Sequence, residues 1–308
     1  MTKVFIDGSA GTTGLKIAHR LGERRDIRLL RLSEELRKDT GARKDAMDAA
    51  DVVFLCLPDA AALEAAKLPE NPATVVIDTS TVHRTAPDWA YGFPELTGRR
   101  ERIQAAKRIA NPGCHASGFI ALVAPLVERG VLSPDARLSA FSLTGYSGGG
   151  KTMIAEYEQP ERDALLDAPR QYALGQKHKH LPEMAAQCGL ASAPVFCPIV
   201  APYFAGMEVT VPLFRSDISC DASALPELYR DYYRGGLVRV GDASDEKGFL
   251  SAGAYAGRDD MEIVVSGNDE RILLISRFDN LGKGACGAAI QNMNLVLGCD
   301  EAEGLCIG

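Results

Sequence analysis

Cys114 is the residue of this sequence whose surroundings best suit a nucleophile. It follows the turn-forming residues 111–113, Asn-Pro-Gly, and precedes an apolar, helix-forming run over residues 115–127. The start of a helix offers unpaired N–H groups and the positive end of the helix dipole, so a thiol there ionises more readily than a free one, whose pKa is about 8.5. The same N–H groups are able to hold the oxyanion that forms when a thiolate attacks a carbonyl. The pattern favours a catalytic thiolate over the alternative, one more buried structural cysteine among the eight in the chain.

His178 and His180 are the candidates for the proton-transfer partner that a cysteine nucleophile requires. They alternate with lysines in the segment GQKHKHLPE, and a spacing of two places both on the same side of an extended chain. Glu183 follows closely enough to orient an imidazole. A metal-binding pair is a competing interpretation, but the sequence suggests no third ligand, so no metal is expected. A pair of solvated histidines is a further alternative, and no role is assigned to His83 or His115.

A glycine-rich loop follows the first predicted strand. The segment DGSAGTTG has the spacing G-x-x-G-x-x-G, which differs from the G-x-G-x-x-G of most dinucleotide-binding loops. Glycines nonetheless allow the backbone to approach a pyrophosphate, and the N-terminus of the following helix attracts its charge. The position after the first strand favours dinucleotide binding over a flexible turn. The predicted contacts are Gly8, Ser9, Gly11, Thr12, Thr13 and Gly14.

The end of the second predicted strand favours NADP(H) over NAD(H). Arg31 and Ser33 supply the guanidinium and hydroxyl groups that suit a ribose 2′-phosphate. Glu34 and Glu35 follow, and an acidic side chain at this point would instead hold the 2′-hydroxyl of NAD. An ordinary surface charge at Arg31 is the remaining alternative.

A second glycine-rich segment, GYSGGGKT at residues 145–152, matches the G-x-x-x-x-G-K-[ST] pattern of P-loop nucleotide hydrolases. A P-loop normally follows the first strand of its domain, and residues 8–14 already occupy that position. A nucleotide hydrolase is therefore the less favoured interpretation, and it is the alternative from a different functional class.

The elements that must position these residues fall into two groups. Strands and helices alternate through the first third of the chain, which predicts βαβ units, and longer strand-like runs follow. The predicted fold class is α/β: a Rossmann dinucleotide-binding domain plus an α+β domain with a mixed, largely antiparallel sheet. Strands are expected at 3–7, 27–32, 51–57, 74–78, 108–110, 136–145, 207–214 and 262–278, the last folded into a hairpin at 267–270, with helices at 61–68 and 282–298, the latter returning to the first domain.

Composition narrows the functional classes. The chain has 308 residues, 46% of them hydrophobic and 24% charged, which is an ordinary globular composition long enough for two domains. A net charge of -7 argues against a nucleic-acid partner, and no apolar run is long enough to span a membrane. The first residues run straight into a strand pattern, so no signal peptide is predicted. The cysteines are scattered without a C-x-x-C pair, which predicts free thiols in the cytoplasm.

Short segments distributed over nearly the whole chain resemble those of N-acetyl-gamma-glutamyl-phosphate reductase, the NADPH-dependent enzyme family of arginine biosynthesis, in particular its shorter type. Their order along the chain is the order in that family. The segments are GSAGTTG (8–14), LPD (57–59), IDTSTVHR (77–84), YGFPEL (91–96), NPGCHASGF (111–119), GYSGGGK (145–151), HKHLPE (178–183) and FDNLGKGACGAAIQNMN (278–294).

The resemblance implies a Rossmann domain made of residues 1–112 and 280–308, and a catalytic and oligomerisation domain made of residues 113–279. It also implies NADP(H), an acyl phosphate substrate and a covalent thioester. The two long strands of the predicted sheet suggest a homodimer or homotetramer. The implied catalytic residues are Cys114, His180 as proton donor with His178 as its alternative, Glu183 and Asn111. Further implied contacts are Pro58, Ser80, Gly148 and Asn280 to the cofactor, and Arg84, Ser147 and Lys151 to the substrate or its phosphate.

Two departures from the family pattern affect the site. His115 stands where the longer type of the family has tyrosine, and Lys179 stands where arginine is expected between the two histidines. The second departure leaves the substrate contacts open. An enzyme like aspartate-semialdehyde dehydrogenase is the nearest alternative, because it would share the cysteine, the histidine and the fold. A non-catalytic NADP-sensing protein is less compatible with the residues around Cys114.

Overall fold

The computed structural model describes residues 1–241 and 247–308, which divide into two compact units. The first unit contains residues 1–112 and 285–305, and the second contains residues 113–284 and 306–308.

The first unit alternates strands and helices along the chain. Its strands form one parallel sheet, as the sequence predicts. The elements are β1 Thr2–Asp7, α1 Thr12–Gly22, β2 Ile27–Leu30, α2 Thr40–Asp48, β3 Val52–Leu55, α3 Asp59–Ala65, β4 Val75–Asp78, β5 Ala90–Tyr91, α4 Arg99–Ala105 and β6 Arg108–Ala110. The order across the sheet is β2-β1-β3-β4-β6-β5. In such sheets ligands bind beyond the carboxyl ends of the strands, and the loop between β1 and α1 lies at that edge.

The second unit is a mixed sheet with helices. Its elements are α5 Cys114–Glu128, β7 Ser139–Gly145, α6 Gly150–Glu158, β8 Arg170–Gln171, α7 Leu181–Cys188, β9 Val195–Ala201, β10 Met207–Phe214, α8 Leu225–Tyr232, β11 Val238–Val240, β12 Met261–Gly267 and β13 Arg271–Phe278. The order across the sheet is β11-β12-β13-β10-β7-β9-β8. The β7–β9 and β11–β12 pairs are parallel and the other pairs antiparallel, so the sheet is mixed and largely antiparallel as predicted.

The last helix of the chain, α9, runs over Gly287–Leu297 and belongs to the core of the first unit. Ala289, Ile290 and Met293 are fully buried there, in the same cluster as residues of β1, β3 and β4. The sequence predicts one helix from residue 282, whereas the structure has a π-helical turn over Gly282–Cys286 before α9 begins. The glycines at 282, 284 and 287 make a regular helical start costly, which accounts for the difference.

Helix α5 is buried on every side, and this positions Cys114. Residues 115–126 are all buried, although the sequence pattern suggests a single apolar face. The absence of a side chain at Gly118 lets the helix lie directly on the sheet, because a Cβ there would be 2.5 Å from Val209 Cγ2 and 2.7 Å from Ser276 Oγ. A helix that is apolar all round is a core helix. Its N-terminus is therefore held by packing along its whole length.

Within the described parts of the chain, no helix combines the length and the apolar character needed to cross a membrane.

Candidate active site

Cys114 is the first residue of α5, as the sequence predicts. Gly113 caps the helix with an extended backbone, and its carbonyl accepts the first helical hydrogen bond from Ser117 N at 2.8 Å. The N–H groups of the first turn, at residues 114–116, precede this ladder of hydrogen bonds. They are the groups that favour a thiolate and hold an oxyanion beside it.

Gly284 packs directly against Cys114. A Cβ atom at residue 284 would lie 2.9 Å from Cys114 Cβ and 3.1 Å from the Asp279 carbonyl oxygen. Real Cβ contacts of that length do not occur, so only glycine fits beside the cysteine in this backbone. The sequence places Gly284 among several glycines and gives no sign of this contact.

His178 and His180 lie together before α7, with ring centroids 4.7 Å apart. His180 is the residue that precedes the first turn of α7, and its backbone N–H donates to His178 Nδ1 at 3.1 Å. Nδ1 of His178 is therefore an acceptor, and the proton of its neutral ring resides on Nε2. The two histidines thus differ in their chemistry although they are two residues apart.

Glu183 links the start of α7 to the start of α5. Its side chain is 2% exposed, and Oε1 accepts a hydrogen bond from Gly113 N at 2.8 Å. A carboxylate in the first turn of α7 is favoured by the helix dipole. The sequence suggests that Glu183 orients an imidazole. Its bond to Gly113 N fixes the backbone immediately before Cys114.

His115 is a buried part of this site that the sequence analysis leaves unassigned. Its Nδ1 lies 2.7 Å from Ser142 Oγ and its Nε2 lies 2.7 Å from Tyr172 Oη. Its ring centroid is 5.5 Å from that of His178 and 5.7 Å from that of His180. Burial first, and then repulsion from His178 at the low pH where that ring is protonated, lower the pKa of His115 to about 3. The ring is therefore neutral at physiological pH and does not exchange protons there.

The first three N–H groups of the GYSGGGKT segment are used inside the protein. The N–H groups of Gly145, Tyr146 and Ser147 donate to the carbonyls of residues 206, 203 and 204, at 2.9 to 3.0 Å. A P-loop requires backbone N–H groups that point at the nucleotide phosphates, so this geometry gives the P-loop alternative no support. The match of GYSGGGKT to the P-loop pattern comes from a tight turn. Residues 146–149 form a 3-10 turn, and α6 begins at Gly150.

This turn carries two of the predicted contact residues, Ser147 and Gly148. Ser147 is 1% exposed and its Oγ accepts from Asn280 Nδ2 at 3.0 Å, while Asn280 Oδ1 accepts from Gly206 N at 3.0 Å. A Cβ at Gly148 would lie 3.4 Å from the same Asn280 nitrogen. Ser147, Gly148 and Asn280 are thus brought together, whereas Lys151 lies exposed on α6.

The loop between β1 and α1 has the geometry expected of a dinucleotide site. Gly8 has φ +85°, and a Cβ there would lie 2.3 Å from the Cys56 carbonyl oxygen. A Cβ at Gly14 would lie 2.6 Å from the Gly8 carbonyl oxygen, so both positions require glycine. Among the described residues, the Thr12 hydroxyl is a buried oxygen without a hydrogen-bond partner, at the start of an 11-residue helix. A pyrophosphate oxygen would supply that partner, and Ser9 and Thr13 are partly exposed beside it.

The end of β2 borders a cavity of about 530 Å³. Arg31 contributes to its wall, and both Arg31 and Ser33 are exposed and open to a ligand. Glu34 forms an ion pair with Arg37, with 2.6 Å between Oε1 and Nη1. Pro58, at the end of β3, directly precedes α3.

Three further predicted residues belong to a buried polar network at the ends of β4 and β6. Ser80 donates its hydroxyl to Asp78 Oδ2 at 2.7 Å, and the same oxygen lies 2.6 Å from His83 Nδ1. Arg84 donates from Nε to the Asn111 carbonyl at 2.9 Å and from Nη2 to the Thr79 carbonyl at 3.0 Å. These contacts hold the strand ends together within the first unit.

The fully buried side chain of Asn111 also makes hydrogen bonds inside the first unit. Its Nδ2 donates to the Ala285 carbonyl at 3.0 Å and its Oδ1 accepts from Asn292 Nδ2 at 3.2 Å. The backbone that leads to Cys114 is therefore anchored to α9 and to the turn before it.

One cluster of described residues has spacing compatible with a metal ion. Candidate ligand atoms of Asp26, Cys299 and Glu303 lie within 4.8 Å of one another. Arg24 Nη2 lies 2.6 Å from Asp26 Oδ2 and 3.6 Å from Glu303 Oε2, so a guanidinium already neutralises both carboxylates.

Family models match both units. The semialdehyde dehydrogenase NAD-binding domain matches residues 3–106, and the semialdehyde dehydrogenase dimerisation domain matches residues 114–280. Among curated proteins, the chain is 45% identical to N-acetyl-gamma-glutamyl-phosphate reductase of Brucella anthropi, over 96% of this chain and 98% of that protein. It is 42% identical to N-acetyl-gamma-glutamyl-phosphate reductase 2 of Nostoc sp., over 98% of this chain and 99% of that protein.

Solved structures share the fold at low sequence identity. Aspartate semialdehyde dehydrogenase II of Vibrio cholerae matches with a TM-score of 0.71 at 17% identity, over 96% of this chain and 98% of that one. Aspartate semialdehyde dehydrogenase of Candida albicans, solved with NADP, matches with a TM-score of 0.64 at 15% identity, over the same shares of the two chains.

Proposed function

The chain belongs to the N-acetyl-gamma-glutamyl-phosphate reductase family, and we propose from this premise that Cys114 is the nucleophile of its reaction. The protein reduces N-acetyl-L-glutamyl 5-phosphate to N-acetyl-L-glutamate 5-semialdehyde with NADPH, a step of arginine biosynthesis. The observation that carries the residue assignment is the position of Cys114 at the N-terminus of a buried helix. Glu183 of α7 is bonded to the residue before it, and the rings of His178 and His180 lie close to the ring of His115, the residue after it.

Each unit has its own part in this reaction. We assign NADP(H) binding to the first unit, because Gly8, Gly14 and the Thr12 hydroxyl form a site that fits a pyrophosphate. Arg31 and Ser33 are assigned to the 2′-phosphate because they are exposed beside the cavity at the end of β2. When bound, NADPH supplies the hydride that reduces the carbonyl carbon. The second unit supplies the covalent chemistry.

The first chemical step transfers the acyl group to the enzyme. The Cys114 thiolate attacks the acyl phosphate carbonyl, and the new oxyanion is held by N–H groups of the first turn of α5. When the oxyanion collapses, the bond from carbon to the phosphate oxygen breaks, so inorganic phosphate leaves and a thioester remains on Cys114. Glu183 supports this step indirectly, because its bond to Gly113 N fixes the turn that presents the thiolate.

The second step needs a proton at the former carbonyl oxygen, and we assign it to His180. Hydride addition to the thioester carbon leaves an oxyanion, which His180 protonates; the proton returns to His180 as the C–S bond breaks and the aldehyde forms. His178 is less suited to this proton exchange. Its Nδ1 accepts a hydrogen bond from the backbone N–H of His180, so a second proton on the ring would point at that N–H. His178 is suited to donate a hydrogen bond from Nε2 while staying neutral.

Replacing the nucleophile tests the covalent mechanism. We expect Cys114→Ser to lose at least a thousandfold in kcat, because an alcohol at this position is not ionised at neutral pH, while NADPH binding measured by fluorescence is retained. Cys306→Ser is the control, since Cys306 is a free and exposed cysteine. An active Cys114→Ser protein would show that no thioester is formed on this residue.

The reverse reaction tests the substrate. N-acetylglutamate semialdehyde and NADP⁺ should yield NADPH only when phosphate or arsenate is present, because the thioester must be cleaved by that anion. Aspartate semialdehyde is run in parallel, since the solved structures with this fold include enzymes of that name. Turnover without phosphate would indicate an ordinary aldehyde dehydrogenase, and a preference for aspartate semialdehyde would favour the rival substrate.

We further propose that the protein is a homodimer formed through the second unit. One face of its sheet is covered by α5, whereas the opposite face carries exposed apolar side chains. Phe141 of β7 and Leu273 of β13 are 44% and 39% exposed on that face, and Pro212 of β10 pairs with Leu273 between them. An apolar face of this kind is typical of an interface between subunits. A homotetramer is the alternative, and the mass of the protein in solution distinguishes it from a homodimer.

A cytoplasmic location is proposed for the reaction. All eight cysteines are present as thiols, including Cys114, whose chemistry requires the reduced form.

A further inference from the structure

The segment between β8 and α7, residues 172–180, carries both candidate acid–base histidines and contains a strained turn. Ala173 and Gln176 have φ values of +53° and +52°, in the left-handed region that residues with a side chain rarely adopt. They are the two ends of this turn, which is closed by a hydrogen bond from Gln176 N to the Ala173 carbonyl at 3.0 Å. Left-handed residues of this kind persist only where the surrounding structure holds them, and they cluster at functional sites. Contacts outside the turn must therefore stabilise it.

The side chain of Gln176 supplies such a contact at the edge of β9. Strand β8 pairs antiparallel with β9, and Tyr172 N continues the pairing by donating to the Pro198 carbonyl at 3.0 Å. The chain then turns away at residues 173–176, before it reaches the N–H and C=O of Phe196, the next groups on this edge. The Gln176 amide binds both of them: Nε2 donates to the Phe196 carbonyl and Oε1 accepts from Phe196 N, each at 2.8 Å. A carboxamide imitates a peptide unit in this way because it carries a donor and an acceptor side by side.

Phe196 connects this amide pair to the two histidines. Its side chain is 1% exposed, and its ring centroid lies 5.1 Å from that of His178, with an angle of 67° between the ring planes. Edge-to-face contacts of this kind are directional, so the position of Phe196 affects the orientation of the imidazole. His178 Nδ1 in turn accepts a hydrogen bond from His180 N at 3.1 Å. One connected series of contacts therefore runs from the Gln176 amide to the His180 backbone.

We propose that Gln176 is a positioning residue for proton transfer, whose amide holds the left-handed turn so that His180 meets the oxyanion formed during reduction. The inference rests on the proposed role of His180 as proton donor. A change of φ at residue 176 would rotate the chain that follows it. Helix α7 begins at Leu181 and is held by the bond from Glu183 to Gly113 N, so the displacement would fall on residues 177–180.

Substitutions that separate the amide from the backbone strain test this assignment. Gln176→Gly and Gln176→Asn both tolerate a positive φ, but the first has no amide and the second is one methylene too short to bind both groups of Phe196. Both should lower kcat about tenfold or more, since displacing a reacting group by about 1 Å costs roughly a hundredfold. Ala173→Gly is the matched control, because it relieves strain in the same turn and leaves the amide in place, so its kcat should equal that of the wild type.

The solvent deuterium isotope effect on kcat distinguishes positioning from a loss of folded protein. A smaller folded fraction lowers kcat equally in H₂O and D₂O and leaves their ratio unchanged. A displaced proton donor slows the proton transfer itself, so the ratio should exceed the wild-type value in Gln176→Gly and Gln176→Asn. NADPH binding measured by fluorescence should be unchanged in both, because the cofactor is assigned to the first unit.

The outcomes separate this inference from the proposed function. If His180→Gln keeps the wild-type kcat, the assignment of the proton donor fails and the inference fails with it. If His180→Gln is inactive while both Gln176 variants have the wild-type kcat, the positioning role is refuted and the proposed function stands. A lower kcat with an unchanged isotope ratio would also refute it, as would an equal loss of kcat in Ala173→Gly, where the amide pair is intact.

Discussion

Gly284 is the residue through which the backbone fixes the position of the nucleophile. We expect Gly284→Ala to lower kcat by at least tenfold, because the new methyl group would lie 2.9 Å from Cys114 Cβ and must displace it. Displacing a reacting group by about 1 Å costs roughly a hundredfold in rate. Steady-state kinetics and NADPH binding would measure the change. Gly22→Ala is the matched control, since a Cβ at Gly22 would meet no atom of the described residues within 4 Å, apart from its chain neighbours and its own helix backbone. Equal losses in the two variants would contradict the argument.

The buried imidazole of His115 makes stability depend on pH. In the unfolded chain it binds a proton below pH 6.5, whereas in the folded chain it does so only near pH 3. The unfolded state therefore holds more protons between these values, so the free energy of unfolding falls as pH is lowered through that window. The contribution of this group is on the order of 4 kcal/mol at the acid end.

Urea unfolding at several pH values between 4 and 7.5 would measure this dependence. His115→Gln lacks the titrating ring, so its free energy of unfolding should fall less steeply than that of the wild type as pH decreases. The carboxylates titrate alike in both proteins and cancel in the comparison. Parallel curves would show that His115 is not buried in its neutral form.

At the residue scale, the sequence predicts the reactive side chains better than the residues that hold the site together. Cys114 is predicted at a helix start because its neighbours are a turn and an apolar run, both local signals. Tyr172 and Ser142 lie far from His115 in the chain, and only the fold brings their hydroxyls to the imidazole. A local pattern also misleads at residues 145–152, where the sequence cannot show that the N–H groups face other carbonyls.

At the scale of elements, the stability of the loop between β1 and α1 depends more on Gly8 than on Gly11. We expect Gly8→Ala to destabilise the protein without cofactor by about 2 kcal/mol or more. Gly8 has φ +85°, and a Cβ there would lie 2.3 Å from the carbonyl oxygen of Cys56, the residue after β3. Gly11→Ala is the control, since its Cβ would be 3.5 Å from the Gly8 carbonyl oxygen, an ordinary contact. Chemical unfolding of both variants would decide; equal stabilities would argue against strain at Gly8.

Local sequence signals also decide which strands and helices are predicted and which are missed. Strands β1, β3, β4 and β6 are predicted because continuous apolar runs are typical of a parallel sheet. Helix α2 is missed, since Met47 is its one buried residue and the capping contact from Asp39 to Ala42 N is its main local signal. Strand β9 is also missed, because it contains Pro198, which argues against a strand in the interior of a sheet.

At the scale of the whole molecule, the uncovered sheet face of the second unit predicts self-association. We expect Leu273→Lys to convert the oligomer into monomers, because a lysine at the centre of an apolar interface would be buried without a partner. Light scattering coupled to size exclusion would measure the mass, and it would also distinguish a wild-type dimer from a tetramer. Leu63→Lys is the matched control, since Leu63 is 43% exposed on α3 and Leu273 is 39% exposed. A wild-type monomer, or dissociation by both substitutions, would rule out this face as the interface.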